Sequence, residues 1–177
     1  MRLSEEQSGR RLRMIKYVAL ALLIVIGIRQ FLYTSVTVSG QSMEPTISHD
    51  ERIIVTKFQS VQRFDIVIFY APQLNDRFIK RVIGLPGDEV EMKDDQLYIN
   101  GQLFEEPYVA TLKAKRHRGE RLTENFKITV PENAYFVLGD NRKNSRDSRQ
   151  MGTIDQKYVI GKAVLRIYPF DAIGVLK

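Results

Sequence analysis

An uninterrupted apolar segment near the N-terminus separates two parts of the chain that differ in character. Residues 17–28 read YVALALLIVIGI, without a charged or strongly polar side chain, and basic residues precede them. Burial of such a segment in hydrocarbon is favourable, and basic flanks stay on the cytoplasmic side of a membrane. A full span needs about 20 residues. Residues 14–33 reach that length if Lys16 and Arg29 extend towards the two membrane interfaces.

The apolar segment has three possible interpretations, of which we favour an uncleaved membrane anchor. A run of about 10–14 apolar residues is also typical of a cleaved signal peptide. Here, however, Arg29 and the large side chains of residues 31–33 follow instead of a small-x-small cleavage site. A buried core helix is disfavoured because the neighbouring segments resemble strands. We therefore predict a cytoplasmic basic tail, a transmembrane anchor and an extracytoplasmic domain at residues 1–13, 14–33 and 34–177.

The distribution of charge argues against a nucleic-acid partner. The chain has a net charge of +6, and residues 1–29 contain six basic and two acidic residues, a net charge of +4. The remaining residues therefore carry only +2. A basic face that could follow a nucleic-acid backbone is not expected in the larger part of the chain.

Beyond residue 33 the chain consists of short segments rich in β-branched and aromatic residues, separated by turns. Asp94–Asp95 and Asn100–Gly101 are expected to form two hairpin turns. No convincing amphipathic helix and no internal repeat follows the anchor. The predicted fold class is mainly β, a coiled β-sheet or barrel-like domain with one N-terminal transmembrane helix. Strands are predicted at residues 36–38, 52–57, 64–70, 78–83, 89–93, 96–99, 127–130, 135–138 and 158–168.

The most polar insertion in this β-rich part is the segment at residues 113–123, KAKRHRGERLT. We predict an exposed, solvated basic loop there. The alternative is a patch that contacts anionic lipid headgroups.

Few residue types are available for catalysis. The absence of cysteine excludes disulfides, zinc–thiolate sites, iron–sulfur clusters and cysteine nucleophiles. The two histidines are unpromising bases, because His49 lies in a polar turn and His117 lies between arginines. Any catalysis therefore depends on Ser, Lys, Asp, Glu, Arg or Tyr, and a Ser/His/Asp triad is not expected.

One serine and one lysine stand out. Residues 39–47, SGQSMEPTI, form a turn that can expose a hydroxyl and direct backbone N–H groups at one point, as an oxyanion hole requires. Such residues also crowd together in ordinary turns. In the predicted strand at 78–83, Lys80 shares a face with Phe78 and Val82, and burial there would lower its pKa towards neutrality. An edge-strand lysine that discourages aggregation is an equally good interpretation of the periodicity.

The segment at residues 139–152, GDNRKNSRDSRQMG, concentrates charge in a short turn. Its arginines oppose a calcium loop, and it lacks the glycine-rich loop and helix of a phosphate site. It is either a surface loop or a rigid scaffold held by Asp–Arg pairs.

Together, these segments resemble type I signal peptidases. Four motifs occur in the family's order, and the single N-terminal anchor resembles the Gram-positive branch of the family. The motifs and the anchor cover most of the chain: SGQSMEP, FDIVIF, IKRVIGLPGDEV and GDNRKNSRDSR.

The resemblance implies a Ser/Lys dyad in which Ser42 is the nucleophile and Lys80 the general base. Ser145 matches a serine that hydrogen-bonds and orients the lysine amine. Asp147 and Arg149 match a salt-bridged pair that supports the site. Asp140 and Arg81 are expected to join the same network.

Position 40 departs from the two-span relatives, in which a serine hydroxyl contributes to the oxyanion hole. With Gly40 there, the hole would depend on the backbone N–H of Ser42 and a second backbone donor. The substrate would pair beside the strand that contains Val36 and Val38. The expected apolar pockets for small substrate residues involve Val36, Val38, Met43 and Ile79.

The resemblance therefore implies a membrane-anchored serine endopeptidase that removes signal peptides after a small-x-small site. Its partners would be exported precursors, membrane lipid and the protein-export channel beside which it works, and no metal or organic cofactor is implied. Three alternatives remain open. They are a self-cleaving repressor-type Ser/Lys peptidase, a membrane-tethered noncatalytic binding module, and a protein that binds anionic polymers or lipids through residues 113–121.

Overall fold

The computed structural model of the protein describes residues 2–57, 60–117 and 119–176. Contacts divide the chain into two units, Met1–Thr34 and Ser35–Lys177. The first unit consists of helix α1, Arg2–Leu32, which contains the apolar segment. Within the described residues, no helix combines the length and the apolar character that crossing a membrane requires.

The second unit confirms the mainly β fold class. Its two short helices are α2, Ala110–Lys115, and α3, Ser148–Met151, and 3₁₀ turns occur at Pro107–Val109, Gln156–Tyr158 and Phe170–Ala172. The strands are β1 Tyr33–Thr37, which begins in the first unit, β2 Arg52–Thr56, β3 Ile66–Ala71, β4 Asp76–Gly84, β5 Glu89–Lys93, β6 Gln96–Ile99, β7 Gln102–Phe104, β8 Phe126–Thr129, β9 Ala134–Leu138, β10 Ile154–Asp155, β11 Val159–Tyr168 and β12 Gly174–Val175.

The strands form two sheets whose recorded pairings are antiparallel. The larger sheet has the order β1-β2-β11-β3-β4-β9-β10, with β12 also paired to β11, and the smaller sheet has the order β7-β6-β5-β8. Strand β1 therefore lies at an edge of the larger sheet. Strand β4 is central, because β3 pairs along it from Asp76 to Arg81 and β9 pairs with it from Arg81 onwards.

Both predicted hairpin turns of the smaller sheet are confirmed. Asp94 and Asp95 have φ angles of 49° and 62°, and Asn100 and Gly101 have φ angles of 53° and 77°. Two consecutive residues with positive φ define the turn that matches the twist of antiparallel strands, and Asn, Asp and Gly tolerate that conformation best. Strand β7, which follows the second turn, was not among the predicted strands because its three residues carry little pattern.

Three apolar clusters form the core of the second unit. One cluster gathers buried residues of β2, β3 and β11 with Val38 and Met43, and another fills the space under the smaller sheet. The third joins β3, β4 and β9 around Val67, Phe69 and Val137, each fully buried. Lys80 and Arg81 are thus held in a strand that is covered on both faces.

The segment predicted as an exposed basic loop, residues 113–123, is exposed over most of its described length, although it is not a loop throughout. Its first three residues belong to α2, and Leu122 and Thr123 are buried, while Arg118 lies outside the described residues. Asp95 accepts hydrogen bonds from the Leu122 and Thr123 N–H groups and pairs with Arg116. Because acidic groups also bind Lys113 and Arg121, these cations are already paired. Pairing of this kind weakens the interpretation as a surface for anionic polymers.

Candidate active site

The structure brings Ser42 and Lys80 into direct contact. Ser42 lies in the turn between β1 and β2, and Lys80 lies in the middle of β4. The Lys80 Nζ atom donates hydrogen bonds to Ser42 Oγ at 2.6 Å and to the Ile79 carbonyl at 2.8 Å. Lys80 is only 2% exposed, and its Nζ lies 5.5 Å from the centre of the Phe78 ring, as the strand alternation predicts.

The environment of Lys80 favours its neutral amine. Burial lowers the pKa of Lys80 from its ordinary 10.5 to about 8, although the carboxylates of Asp147 and Asp140 act in the opposite direction. An amine with a pKa near the working pH can both accept and return a proton. The arrangement therefore suits the Lys80 amine as a general base for the Ser42 hydroxyl.

This pKa predicts how activity depends on pH. An activity that uses the Lys80 amine as its base needs that amine neutral, so its rate should level off above about pH 8, the pKa of Lys80. Below that pH, hydrolysis should fall about tenfold for each pH unit as the amine becomes protonated. Initial rates measured from pH 5.5 to 9.5 would check this expectation. A rate that stays level down to pH 6 would exclude Lys80 as the base.

Backbone N–H groups around Ser42 Oγ, among them that of Ser42 itself, are free to donate. None of the described residues accepts a hydrogen bond from the Ser42 N–H. By contrast, the Gly40 N–H donates to Nδ1 of the exposed His49 at 3.1 Å. The N–H of Gly40, a position predicted to belong to the oxyanion site, is thus engaged by a side chain in this structure. Gly40 has a φ of 92°, a backbone conformation that glycine adopts readily and that lets the chain turn before Ser42.

Two ion pairs hold the turn at residues 139–149 beside the dyad. Arg81 donates to Asp140 through Nε at 2.9 Å and through a terminal nitrogen at 2.7 Å, and both residues are fully buried. Asp147 accepts from Arg149 Nε at 2.8 Å and from the Gly139 N–H at 3.0 Å. The expected Asp147–Arg149 pair is thus present, and Asp140 and Arg81, which were expected in the same network, pair with each other.

Ser145 differs from the expectation that it hydrogen-bonds to Lys80. Its Oγ atom is buried and has no hydrogen-bond partner among the described residues. The two hydrogen bonds of the Lys80 amine instead go to Ser42 and to its own strand. Ser145 lies against Gly139, where a built Cβ atom would be 2.2 Å from Ser145 Oγ.

Gly139 is required by space at the centre of this arrangement. A Cβ atom there would also lie 2.5 Å from the Ser42 carbonyl oxygen, a distance that such contacts essentially never show. Gly139→Ala should therefore displace Ser42 and lower kcat by about 100-fold, a loss that a displacement of about 1 Å can cause. Gly174→Ala is the matched control, since a Cβ atom there meets nothing closer than 3.9 Å. Equal activities of the two variants would contradict this account.

The residues expected to line substrate pockets are largely enclosed. Val38, Met43 and Ile79 are buried in one apolar cluster, and Val36 packs against it half-buried. The structure thus brings the four side chains together beside the end of β1. In the described part of the chain, no cluster of three or more His, Asp or Glu side chains could hold a metal ion.

A second buried network, which the sequence did not reveal, adjoins the turn at residues 139–149. Arg142, Glu106 and Tyr108 join the turn at 139–149 to the segment before α2. Arg142 stood within a motif already singled out, but its partner Glu106 is 36 residues away.

Comparisons with known proteins agree with this geometry. Residues 11–168 match the family described as "Signal peptidase, peptidase S26". The chain is 41% identical over 169 residues to signal peptidase I of Bacillus amyloliquefaciens, covering 92% of this chain and 90% of the relative. It is 37% identical over 169 residues to signal peptidase IB of Staphylococcus aureus, covering 87% of each.

A solved structure is also similar to this chain. The crystal structure of a signal peptidase I from Enterococcus faecalis superposes with a TM-score of 0.57 and 45% sequence identity. The match covers 59% of this chain and 97% of the other. From the family match and these relatives, the chain belongs to the signal peptidase family, peptidase S26, and is a serine peptidase of the hydrolase class.

Proposed function

We propose that this peptidase removes signal peptides from exported precursor proteins by cleaving after a small-x-small site. Ser42 is its nucleophile and Lys80 its general base. The observation that carries the proposal is the 2.6 Å contact between the buried Lys80 amine and Ser42 Oγ. A buried lysine whose pKa is lowered to about 8 is suited to this role.

The reaction follows from this contact. Neutral Lys80 accepts the Ser42 proton as Oγ attacks the scissile carbonyl, and the Ser42 N–H stabilises the resulting oxyanion. The Lys80 ammonium then returns a proton to the departing amine, and an acyl-enzyme remains. Water, deprotonated by Lys80, attacks the ester, and the Lys80 ammonium returns that proton to Ser42 Oγ as the acyl group leaves with the new C–O bond.

An edge strand supports the proposed mode of substrate binding. Strand β1 ends the larger sheet and leads directly into the turn that carries Ser42. An extended precursor segment can add to such an edge through main-chain hydrogen bonds, and side-chain pockets then select the sequence. Val36, Val38, Met43 and Ile79 form the apolar surface for the small residues, and close packing there excludes larger ones.

The N-terminal unit completes the proposal as a membrane anchor. Its apolar segment at residues 17–28 is helical and lies between basic residues, which favours a cytoplasmic tail at 1–13 and an extracytoplasmic domain at 34–177. Anchoring confines enzyme and precursor to one surface and raises their effective concentration. The enzyme would then work beside the protein-export channel, in contact with lipid.

Cleavage of a precursor with an Ala-x-Ala site by the detergent-solubilised protein tests this function. Mass spectrometry should show one cut directly after the second Ala. A matched precursor with Ala→Leu at that position should be cut at least 100-fold more slowly. Binding of the first precursor without cleavage would favour the noncatalytic module, and equal cleavage of both would exclude small-residue selectivity.

A further inference from the structure

A buried arginine next to the dyad makes directed contacts that the proposed mechanism does not use. Arg142 is 2% exposed. Its Nε donates to the Gly139 carbonyl at 3.1 Å, and its terminal nitrogens donate to Thr123 Oγ1 at 3.2 Å and to Glu106 Oε1 at 2.5 Å. One guanidinium group thus joins three separate segments of the second unit.

Glu106 holds this guanidinium in place. Burial acts to raise the pKa of Glu106, but Arg142 and Lys113 lower it below its ordinary value, so the carboxylate is ionised. Glu106 also accepts from the Tyr108 hydroxyl at 3.0 Å and from Lys113 Nζ at 3.2 Å. The Tyr108 ring centre lies 4.0 Å from Arg81 Cζ and 5.9 Å from Arg142 Cζ, so it connects the two buried arginines.

A contribution to stability alone does not explain the buried Arg142–Glu106 ion pair. A fully buried ion pair can often be replaced by apolar side chains without loss of stability, because removing both charges from water is costly. An apolar pair, however, cannot direct a hydrogen bond at a chosen carbonyl. Arg142, unlike an apolar side chain, donates a hydrogen bond to one particular group, the Gly139 carbonyl.

The Gly139 peptide is fixed on both sides. Its N–H donates to Asp147 at 3.0 Å and its carbonyl accepts from Arg142. Arg149, which is paired with Asp147, donates to the Arg142 carbonyl at 2.7 Å. These contacts close a ring of hydrogen bonds around the turn.

This ring bears directly on the nucleophile. The Gly139 Cα lies so close to the Ser42 carbonyl oxygen that no Cβ fits between them. The same oxygen accepts from the Asn141 N–H at 3.0 Å. The position of the Ser42 peptide therefore follows the position of the turn at 139–141.

We infer that Arg142, held by Glu106, is a positioning residue for the hydrolysis: it fixes the Gly139 peptide and thereby sets Ser42 against Lys80. The inference rests on the proposed peptidase function. Arg142 itself does not touch the reacting atoms.

Arg63 serves as the control, with a side chain that is 21% exposed where that of Arg142 is fully buried. Its NH1 donates to the Ile83 carbonyl at 3.0 Å and to Asp88 at 2.8 Å, and its NH2 donates to Asp88 at 3.3 Å. Like Arg142, it joins one carboxylate to one backbone carbonyl, but the carbonyl belongs to β4 and not to the turn at 139–149. Substitution of Arg63 therefore measures how much kcat falls when an arginine that joins a carboxylate to a backbone carbonyl is lost elsewhere in the fold.

The experiment compares Arg142→Lys and Arg142→Met with Arg63→Lys and Arg63→Met in the full-length protein, using the Ala-x-Ala precursor. Each kcat is referred to folded enzyme, measured by circular dichroism below the unfolding temperature of the variant. Both Arg142 variants should lose 10- to 100-fold in kcat with KM within twofold, since lysine retains the charge but cannot make all three contacts. Both Arg63 variants should retain kcat within twofold.

Each outcome has a distinct meaning. A folded Arg142→Lys with kcat near wild type overturns the inference, and so does an equal loss of kcat in Arg63→Lys. If Arg142→Met does not fold, the two lysine variants decide the question. A wild-type protein that cleaves nothing contradicts the proposed function itself, and the inference falls with it.

Discussion

Ser42→Ala and Lys80→Met are each expected to lower kcat for precursor cleavage by on the order of 10⁴-fold or more. Ser42→Ala removes the nucleophile, and Lys80→Met removes the amine that lies 2.6 Å from it. Because the two groups act as one unit, the double variant should be no slower than either single variant. Single-turnover cleavage followed on gels or by mass spectrometry would measure losses of this size.

The unfolding temperature of the Lys80→Met variant shows whether a loss of activity reflects the missing amine or a damaged fold. Lowering the pKa of Lys80 from 10.5 to about 8 means that the buried ammonium destabilises the fold, by about 3 kcal/mol. Below pH 8 the variant should therefore unfold at a higher temperature than the wild type. That advantage should shrink between pH 8 and pH 10.5, where unfolding of the wild type takes up a proton. A variant that is inactive and less stable at pH 7 would point to a damaged fold.

Asp140→Asn is expected to cost about 3–5 kcal/mol of unfolding free energy, because it leaves the Arg81 charge buried without its partner. Both side chains are fully buried, and Asp140 also accepts a hydrogen bond from Thr46 at 2.5 Å. In a domain of this size the unfolding temperature should fall by roughly 10 °C. Differential scanning calorimetry would measure the change.

Two further variants test whether the loss of stability in Asp140→Asn comes from the unpaired charge of Arg81 or from substitution of an aspartate in general. Asp94→Asn breaks the exposed pair with Arg121 and should change the unfolding free energy by less than about 0.5 kcal/mol. The double variant Arg81→Met/Asp140→Leu removes both charges and should recover most of the lost stability. An Asp140→Asn protein as stable as the wild type would show that Arg81 finds another partner.

Local chemistry made much of the smaller sheet predictable. The bounds of β5 and β6 follow from alternation of apolar and polar residues, and the turns at Asp94 and Asn100 follow from residues that tolerate positive φ. That Lys80 shares a face of β4 with Phe78 was likewise predictable, because side chains alternate between the two faces of a strand and only adjacent residues need to be considered. The pairing of Ser42 with Lys80 needed the family resemblance, since 38 residues separate them.

Long-range polar contacts were the part that the sequence did not reveal. Nothing local to Glu106 distinguishes it from its exposed neighbour Glu105, yet it is buried against Arg142. The hydrogen bond of His49 to Gly40 was missed for the same reason, since it depends on how the turn closes. The Ser145 hydroxyl, which the family resemblance pairs with Lys80, likewise has no hydrogen-bond partner among the described residues.

The neighbouring positions of Lys80 and Arg81 in β4 have a consequence for maturation. Successive strand residues face opposite sides, so pairing of β4 with β3 shifted by one residue would place a permanently charged guanidinium where the amine belongs. Such a misfolded chain could not deprotonate a hydroxyl at any physiological pH. On the proposed mechanism, cleavage therefore requires the register in which Lys80, and not Arg81, contacts Ser42, so that gain of activity during folding depends on correct pairing of β4 with β3.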